Sequence, residues 1–235
     1  MPPPTIPELI ALVPPGQERT FPRQIEPTGA EGRFRIVNSS FESGNKPYAL
    51  KWAQAPEAWL RPRPATRGLS AISLASVDDP QMKFDGRPSE LADFYHVDVS
   101  LYVLSPKTFG VLKELDPAAV ESRPVKVKIL DGAGGAELYW AVVPTRVLEA
   151  TDLSRTSMVV KHDEFLPGQF NYKVHAADGY TLIDDVPSDV HAFVQDWSAD
   201  WLWSEQLLAG CEAGGVTGLE ARHPSGLQTK PTLYL

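Results

Sequence analysis

Few residues of this chain can do covalent chemistry: five histidines, one cysteine, and serines that stand mostly at turns or helix starts. Nucleophilic catalysis needs a nucleophile, a base and an orienting group brought together. Ser105 precedes Pro106 and Ser204 precedes Glu205, each between an apolar run and a helical pattern, so both read as N-caps. No serine lies in a Gly-x-Ser-x-Gly elbow. Cys211 falls on the apolar side of a short helix with acids nearby, which raises a thiol's pKa and blunts it, so it is expected in the core. His96, His162, His175, His191 and His223 occur singly, without the spacing of a zinc site. His162-Asp163-Glu164 is the densest polar cluster and has the chemistry for an ion or for acid/base work, but it adjoins a turn-like Phe165-Leu166-Pro167-Gly168. Asp178, Asp184, Asp185 and Asp189 lack the alternate spacing around a glycine, closed by a glutamate, of a calcium loop. Gly132-Ala133-Gly134-Gly135 runs into a strand with Glu137 next, so it reads as a hairpin turn and not as a phosphate cradle. No catalytic residue, metal ion or cofactor is expected.

Charge is distributed more tellingly than catalytic groups. Residues 174–221 contain no lysine or arginine, yet hold Asp178, Asp184, Asp185, Asp189, Asp196, Asp200, Glu205, Glu212 and Glu220. Those acids account for the whole net charge of −8, so the remainder of the chain is nearly neutral. Trp197, Trp201 and Trp203 lie in the same stretch. Such a segment repels nucleic acid and membrane and attracts cations or basic proteins.

The elements that position these residues fall into two styles. Fourteen of the 22 prolines precede residue 91, eight of them in the first 27 residues, a density that prevents long helices. Residues 1–32 therefore read as a proline-rich arm, extended over the body or partly disordered, and 33–92 as an irregular part with strands at 33–38 and 69–76 and an aromatic piece at 48–59. The second half is more regular. Alternation over 97–104 predicts a strand with one apolar face, running into a helix that Asp116-Pro117 stops. Residues 124–143 should form a β-hairpin, followed by short strands at 158–161, 171–175 and 180–183. A strand at 201–203, the Ser204 cap, a helix ended by Gly214-Gly215 and a strand at 216–221 repeat the order strand, serine, helix, strand seen over 97–130. Trp201 and Trp203 read as strand residues with at least one in the core.

The chain has 235 residues, 43% hydrophobic and 22% charged, an ordinary globular composition. One cysteine excludes an internal disulfide framework and suits a reducing compartment. The N-terminal apolar run is too short and too proline-bounded for a signal peptide, and no later run approaches a membrane span, so a cytoplasmic location is expected.

Tyr102-Val103-Leu104-Ser105-Pro106 leads into its helix, paired strands follow around Val125 and Leu138-Tyr139-Trp140, and VLEATD stands at 147–152 with Ser154 beyond it. With Ser204-Glu205, the following helix and Val216-Thr217-Gly218-Leu219-Glu220, this order over about residues 93–224 resembles the immunity protein 11 family of bacterial polymorphic-toxin systems. The resemblance implies a non-enzymatic protein that binds and neutralises a cognate toxin, and family members are associated with several toxin types, nuclease toxins among them. A nuclease presents a basic working face, which an acidic inhibitor can occlude with fast, charge-steered association. The candidate partner-binding residues on this view are Asp184, Asp185, Asp189, Asp196 and Asp200, with Trp197 either an interface anchor or a core residue. The expected fold is α+β: a mainly antiparallel twisted sheet with a few short helices and the proline-rich arm packed over it, residues 93–235 forming the immunity-protein-like region. The alternatives are a scaffold module of a secretion or phage-like assembly, and a hydrolase or transferase whose residues converge only in the fold.

Overall fold

The computed structural model describes residues 4–22, 32–40, 50–53, 74, 80–98, 101–130, 135–166, 169–177, 179–198, 200–225 and 233–234. In chain order the elements are α1 (Ile6–Ala11), β1 (Glu18–Phe21), β2 (Phe34–Ser39), β3 (Leu50–Trp52), β4 (Gln81–Phe84), β5 (Phe94–Asp98), β6 (Leu101–Leu104) and α2 (Pro106–Leu115). Then follow β7 (Val120–Ile129), β8 (Ala136–Pro144), β9 (Val147–Leu148), β10 (Met158–Leu166), β11 (Gln169–Ala176), β12 (Ala192–Gln195), β13 (Trp201–Ser204), α3 (Glu205–Ala213), β14 (Leu219–Arg222) and β15 (Leu233–Tyr234). A short 3-10 turn covers Pro88–Glu90. The class is the expected α+β, rich in antiparallel strands, but the strands divide among three sheets. Two have six strands, ordered β15-β14-β2-β13-β12-β9 and β3-β4-β7-β8-β6-β5, and the third is β1-β10-β11. Parallel pairing is confined to β4 with β7 and β9 with β12.

The principal core lies where the two long sheets and helices α2 and α3 meet, and aromatic rings fill it. Trp201 and Trp203, two apart on β13, point to the same face, and both are fully buried. Phe94 stands edge-on to Trp203 at 5.5 Å between centroids, and Tyr102 lies 4.3 Å from Trp201. Leu202, between the two tryptophans, points to the opposite face into a second core with Phe34, Ile36 and Phe193. β13 is therefore buried on both sides, as an apolar run without alternation implies.

The two serine-capped helices share one construction. Ser105 Oγ accepts the N–H of Thr108 at 3.3 Å, and Ser204 Oγ accepts the N–H of Leu207 at 3.2 Å. α3 closes with the N–H of Gly215 on the Glu212 carbonyl and that of Val216 on the Cys211 carbonyl, with Gly215 at φ 61°. That left-handed position is what a Schellman closure requires, and glycine takes it without a Cβ penalty. α2 instead ends on Asp116, which is buried and works as a joint. Its carboxylate takes both guanidinium nitrogens of Arg146, and Oδ2 also accepts the N–H groups of His191 at 2.9 Å and Ala192 at 3.1 Å. Burial pushes the Asp116 pKa up, but these four bonds outweigh it and hold the carboxyl below its ordinary value.

Asp93 makes the corresponding joint at the start of α2. Its Oδ2 accepts Lys107 at 3.1 Å and the N–H and hydroxyl of Thr217 at 2.9 and 3.1 Å, and its backbone carbonyl accepts the Ser105 N–H at 2.8 Å. Burial again works upward on the Asp93 pKa, and bonds from Ser105, Thr217 and Lys107 bring the net shift downward.

Several local expectations change. The single strand predicted over 97–104 is a hairpin, with Phe94 opposite Leu104 and Tyr95 opposite Val103. All four residues of β6 are buried, so neither of its faces meets solvent, because helix α2 and the sheet's second core cover both. Residues 180–183 form no strand, only an isolated bridge from Leu182 to Thr151. The strand expected at 216–221 begins at Leu219, after the α3 closure. The proline-rich arm is not extended throughout. Thr5 caps α1 with a complete capping box to Glu8, and Ile6, Leu9 and Val13 pack on Leu153, Met158 and Val160. A proline within the first turn costs a helix nothing, because its missing N–H has no intrahelical partner anyway. Beyond α1, the arm adds β1 antiparallel to β10. Most of 48–59 and all of 69–76 except Leu74 lie outside the described residues.

Candidate functional site

The acidic stretch becomes a layer over the outer face of the sheet containing β13. Tyr180, Leu182, Val186 and Val190 turn inward onto Phe193 and Leu202. The polar residues between them turn outward, and Asp184, Asp185 and Asp189 are exposed on two successive turns. The apolar members of this loop are thus fixed to the sheet while its carboxylates remain in water. Asp178 lies outside the described residues.

Asp196, Trp197 and Asp200 sit at the turn between β12 and β13, each half-buried. The Trp197 indole N–H donates to Thr151 Oγ1 at 2.9 Å, and its ring stands edge-on to Tyr180 at 5.1 Å. It packs against both the outer core and the cluster beneath α1. Trp197 is thus pinned to the core on one side and remains half-exposed. Asp200 Oδ2 accepts the Tyr180 hydroxyl at 2.9 Å. Burial, then the Asp200 charge, drive the Tyr180 pKa upward, so the phenol stays a neutral donor. The fold thereby brings Trp197 and Asp200 together through Tyr180, and places the three exposed aspartates on the same layer.

Arginines missing from this segment arrive from elsewhere in the chain. Arg33 donates to the carbonyls of Pro187 at 2.6 Å and Val190 at 2.9 Å, strapping the Asp189 turn. Arg155, held by Asp152 at 2.6 Å, also reaches the Leu182 carbonyl and comes within 3.7 Å of Asp184. Arg35 pairs with Glu205 at 2.5 Å. The electronegative field is therefore smaller than the sequence count implies, and Asp185 and Asp189 are the exposed acids of the turns without an ion pair among the described residues. Sequence reasoning missed these partners because separations of 27 to 170 residues leave no local signal.

The nearest approach to a catalytic pair is His191 Nδ1 with Ser204 Oγ, 2.9 Å apart. Ser204 is buried, its oxygen already accepts the Leu207 N–H, and the adjacent Asp116 carboxylate bonds the backbone of His191, not its ring. A serine so placed has no face open to a substrate, and the triad logic of nucleophile, base and orienter is not met. His162 is likewise buried, with Nδ1 accepting the N–H of Gly16 at 2.8 Å, so that it fastens the arm to β10. Burial pushes the Cys211 thiol up to about 12, the Asp93 charge adding to the effect, and Cys211 is a core residue as expected. Among the described residues no group of three or more metal-ligating side chains converges. Among the described residues no helix is long and apolar enough to cross a membrane.

No curated protein matches the chain. Residues 33–224, by contrast, match the family model described as the immunity protein family Imm11. That span includes both serine-capped helices, the two aspartate joints and the whole acidic layer, and it reaches sixty residues further toward the N-terminus than the sequence resemblance did. The match covers over four-fifths of the sequence, and the chain belongs to the Imm11 immunity protein family.

Proposed function

We propose that this protein acts in the cytoplasm as a non-enzymatic immunity protein that binds a cognate bacterial toxin and occludes its working face. Family membership over residues 33–224 is the observation that carries the reading. The docking surface is the outer layer, with Asp184, Asp185 and Asp189 on its exposed turns, and Asp196, the open side of Trp197 and the Asp200–Tyr180 pair at the turn between β12 and β13. A toxin with a basic face, such as a nuclease, fits this surface by charge. The exposed carboxylates would steer encounter, while the pinned aromatic edge would supply a desolvated anchor. Because Val186 and Val190 fix the turns to the sheet and Arg33 straps them, little ordering entropy is lost on docking.

The test is co-expression of this chain with the product of the adjacent gene in a host that the product kills. Rescue together with co-purification is the expected result, and neither rescue nor complex would refute the proposal. The double variant Asp185→Lys/Asp189→Lys should fold, yet associate at least about tenfold more slowly at low salt, since rim charges act mainly on the on-rate. An unchanged rate would move the docking surface away from these turns.

A further inference from the structure

An acidic protein also carries a concentrated basic row on the other long sheet, on the face whose farther strands (Trp140, Val142, Leu104) pack on the principal core. Register places Lys51 of β3 opposite Lys83 of β4, and Lys83 opposite Lys128 of β7. Cross-strand partners point to one face, so three ammonium groups stand side by side across three adjacent strands. Lys126 lies two residues before Lys128 on the same face of β7, opposite Gln81 and, across β8, Leu138. All four lysines are exposed. Leu138 is 50% exposed and Leu130, next to the end of β7, is 54% exposed, so the row has an apolar border.

Like charges directly opposite one another destabilise a sheet. Lys51 on the edge strand β3 has an ordinary explanation, since edge lysines deter strand addition. Lys83 and Lys128 lie on interior strands, where edge protection does not apply. Lys51, Lys83 and Lys128 thus stand as like charges side by side, a repulsion that an anionic partner would relieve. Among the described residues, two of the three exposed large hydrophobics border this row, and the third is Leu12 on the arm.

We infer that this row is a second docking surface, one that takes an acidic polypeptide segment with apolar residues interspersed. Carboxylates would meet Lys51, Lys83 and Lys128, and an apolar side chain would cover Leu138. A polypeptide fits better than nucleic acid for two reasons. The net charge of −8 opposes a long polyanion, whereas a short acidic segment meets only the local row. Among the described residues no exposed aromatic ring accompanies the lysines to stack a base, and Trp140, on the same face of β8, is half-buried and stacked on Phe109 at 4.5 Å. The surface is independent of the acidic layer, so it stands or falls apart from toxin neutralisation.

The experiment titrates the full chain with a fluorescein-labelled peptide of four Glu-Glu-Leu repeats, and separately with a labelled 20-base-pair DNA duplex, at low and moderate salt. Saturable peptide binding that weakens with salt is expected, falling at least tenfold in Lys83→Glu/Lys128→Glu and little in Lys113→Glu, a lysine outside the row. The double reversal turns the 51–83 pair into opposite charges and leaves 83 and 128 as like ones, so it should melt near the parent's temperature. If it melts lower, Lys83→Gln/Lys128→Gln replaces it and should give the same loss of binding. Absence of saturable peptide binding, equal affinity in the folded double variant, or tighter binding of the duplex would overturn the inference.

Discussion

Asp116 and Asp189 carry the same side chain, and the protein uses them in opposite ways. Asp116 is buried at the end of α2 and spends its carboxylate on Arg146 and two backbone N–H groups, fastening a helix to two strands from another sheet. Asp189 is exposed on a turn whose carbonyl flanks are held by Arg33, and its own carboxylate stays in water. One acid is an internal joint and the other a surface charge. A count of acids along a sequence mixes the two populations, although only the second contributes to a field that a partner can sense.

Substitutions should separate these populations by size of effect. Asp116→Ala leaves Arg146 and two N–H groups without their acceptor, and should cost about 3 kcal/mol, read as a shift in the urea midpoint without change in slope. Asp93→Ala removes the acceptor of Lys107 and Thr217 at a less buried position and should cost about 2 kcal/mol in the same assay. Removing either cap, as Ser105→Ala or Ser204→Ala, should cost about 1 kcal/mol. Thermal melting of the two single variants and the double would show whether the helices, which pack on each other, share that loss. Smallest of all, Asp185→Lys/Asp189→Lys should change stability by under about 0.5 kcal/mol. A large loss there would mean that the turns are structural after all.

Acid pH probes the same contrast without mutation. Asp93, Asp116 and Asp152 each have burial pushing the pKa up and stronger hydrogen bonds holding it below the ordinary value. The unfolded chain therefore binds protons at higher pH than the folded one. Their contribution is complete above the ordinary carboxylate range, near pH 4, and is lost as pH falls through the lower folded values. Stability measured by denaturant at stepwise pH should decline below about pH 4, and the decline should be shallower in Asp116→Asn. An equally steep decline in that variant would remove Asp116 from the set of acid-sensitive joints.

Much of the framework could be read from local pattern. The Ser105 and Ser204 caps, the glycine closure of α3, the hairpin of β7 and β8 and the buried Cys211 all follow from signals within a few residues. The α1 helix was legible too, in the Thr5 and Glu8 capping box, but the surrounding prolines drew attention to chain stiffness instead. The hairpin of β5 and β6 was hidden because the two strands follow each other so closely in sequence that their apolar alternation reads as one strand.

The acidic segment shows where local reading stops. Composition alone determined that 174–221 contains no cation and that the chain has no sequence motif for covalent chemistry. It could not determine that Arg33, Arg35 and Arg155 would fold back onto that segment, or that Lys51, Lys83 and Lys128 would line up on another sheet. The reason is physical. Caps, turns and periodicity act between residues a few positions apart, whereas charge pairing and strand register join residues that only chain closure brings together. The sequence set which charges exist, and tertiary structure decided which of them cancel.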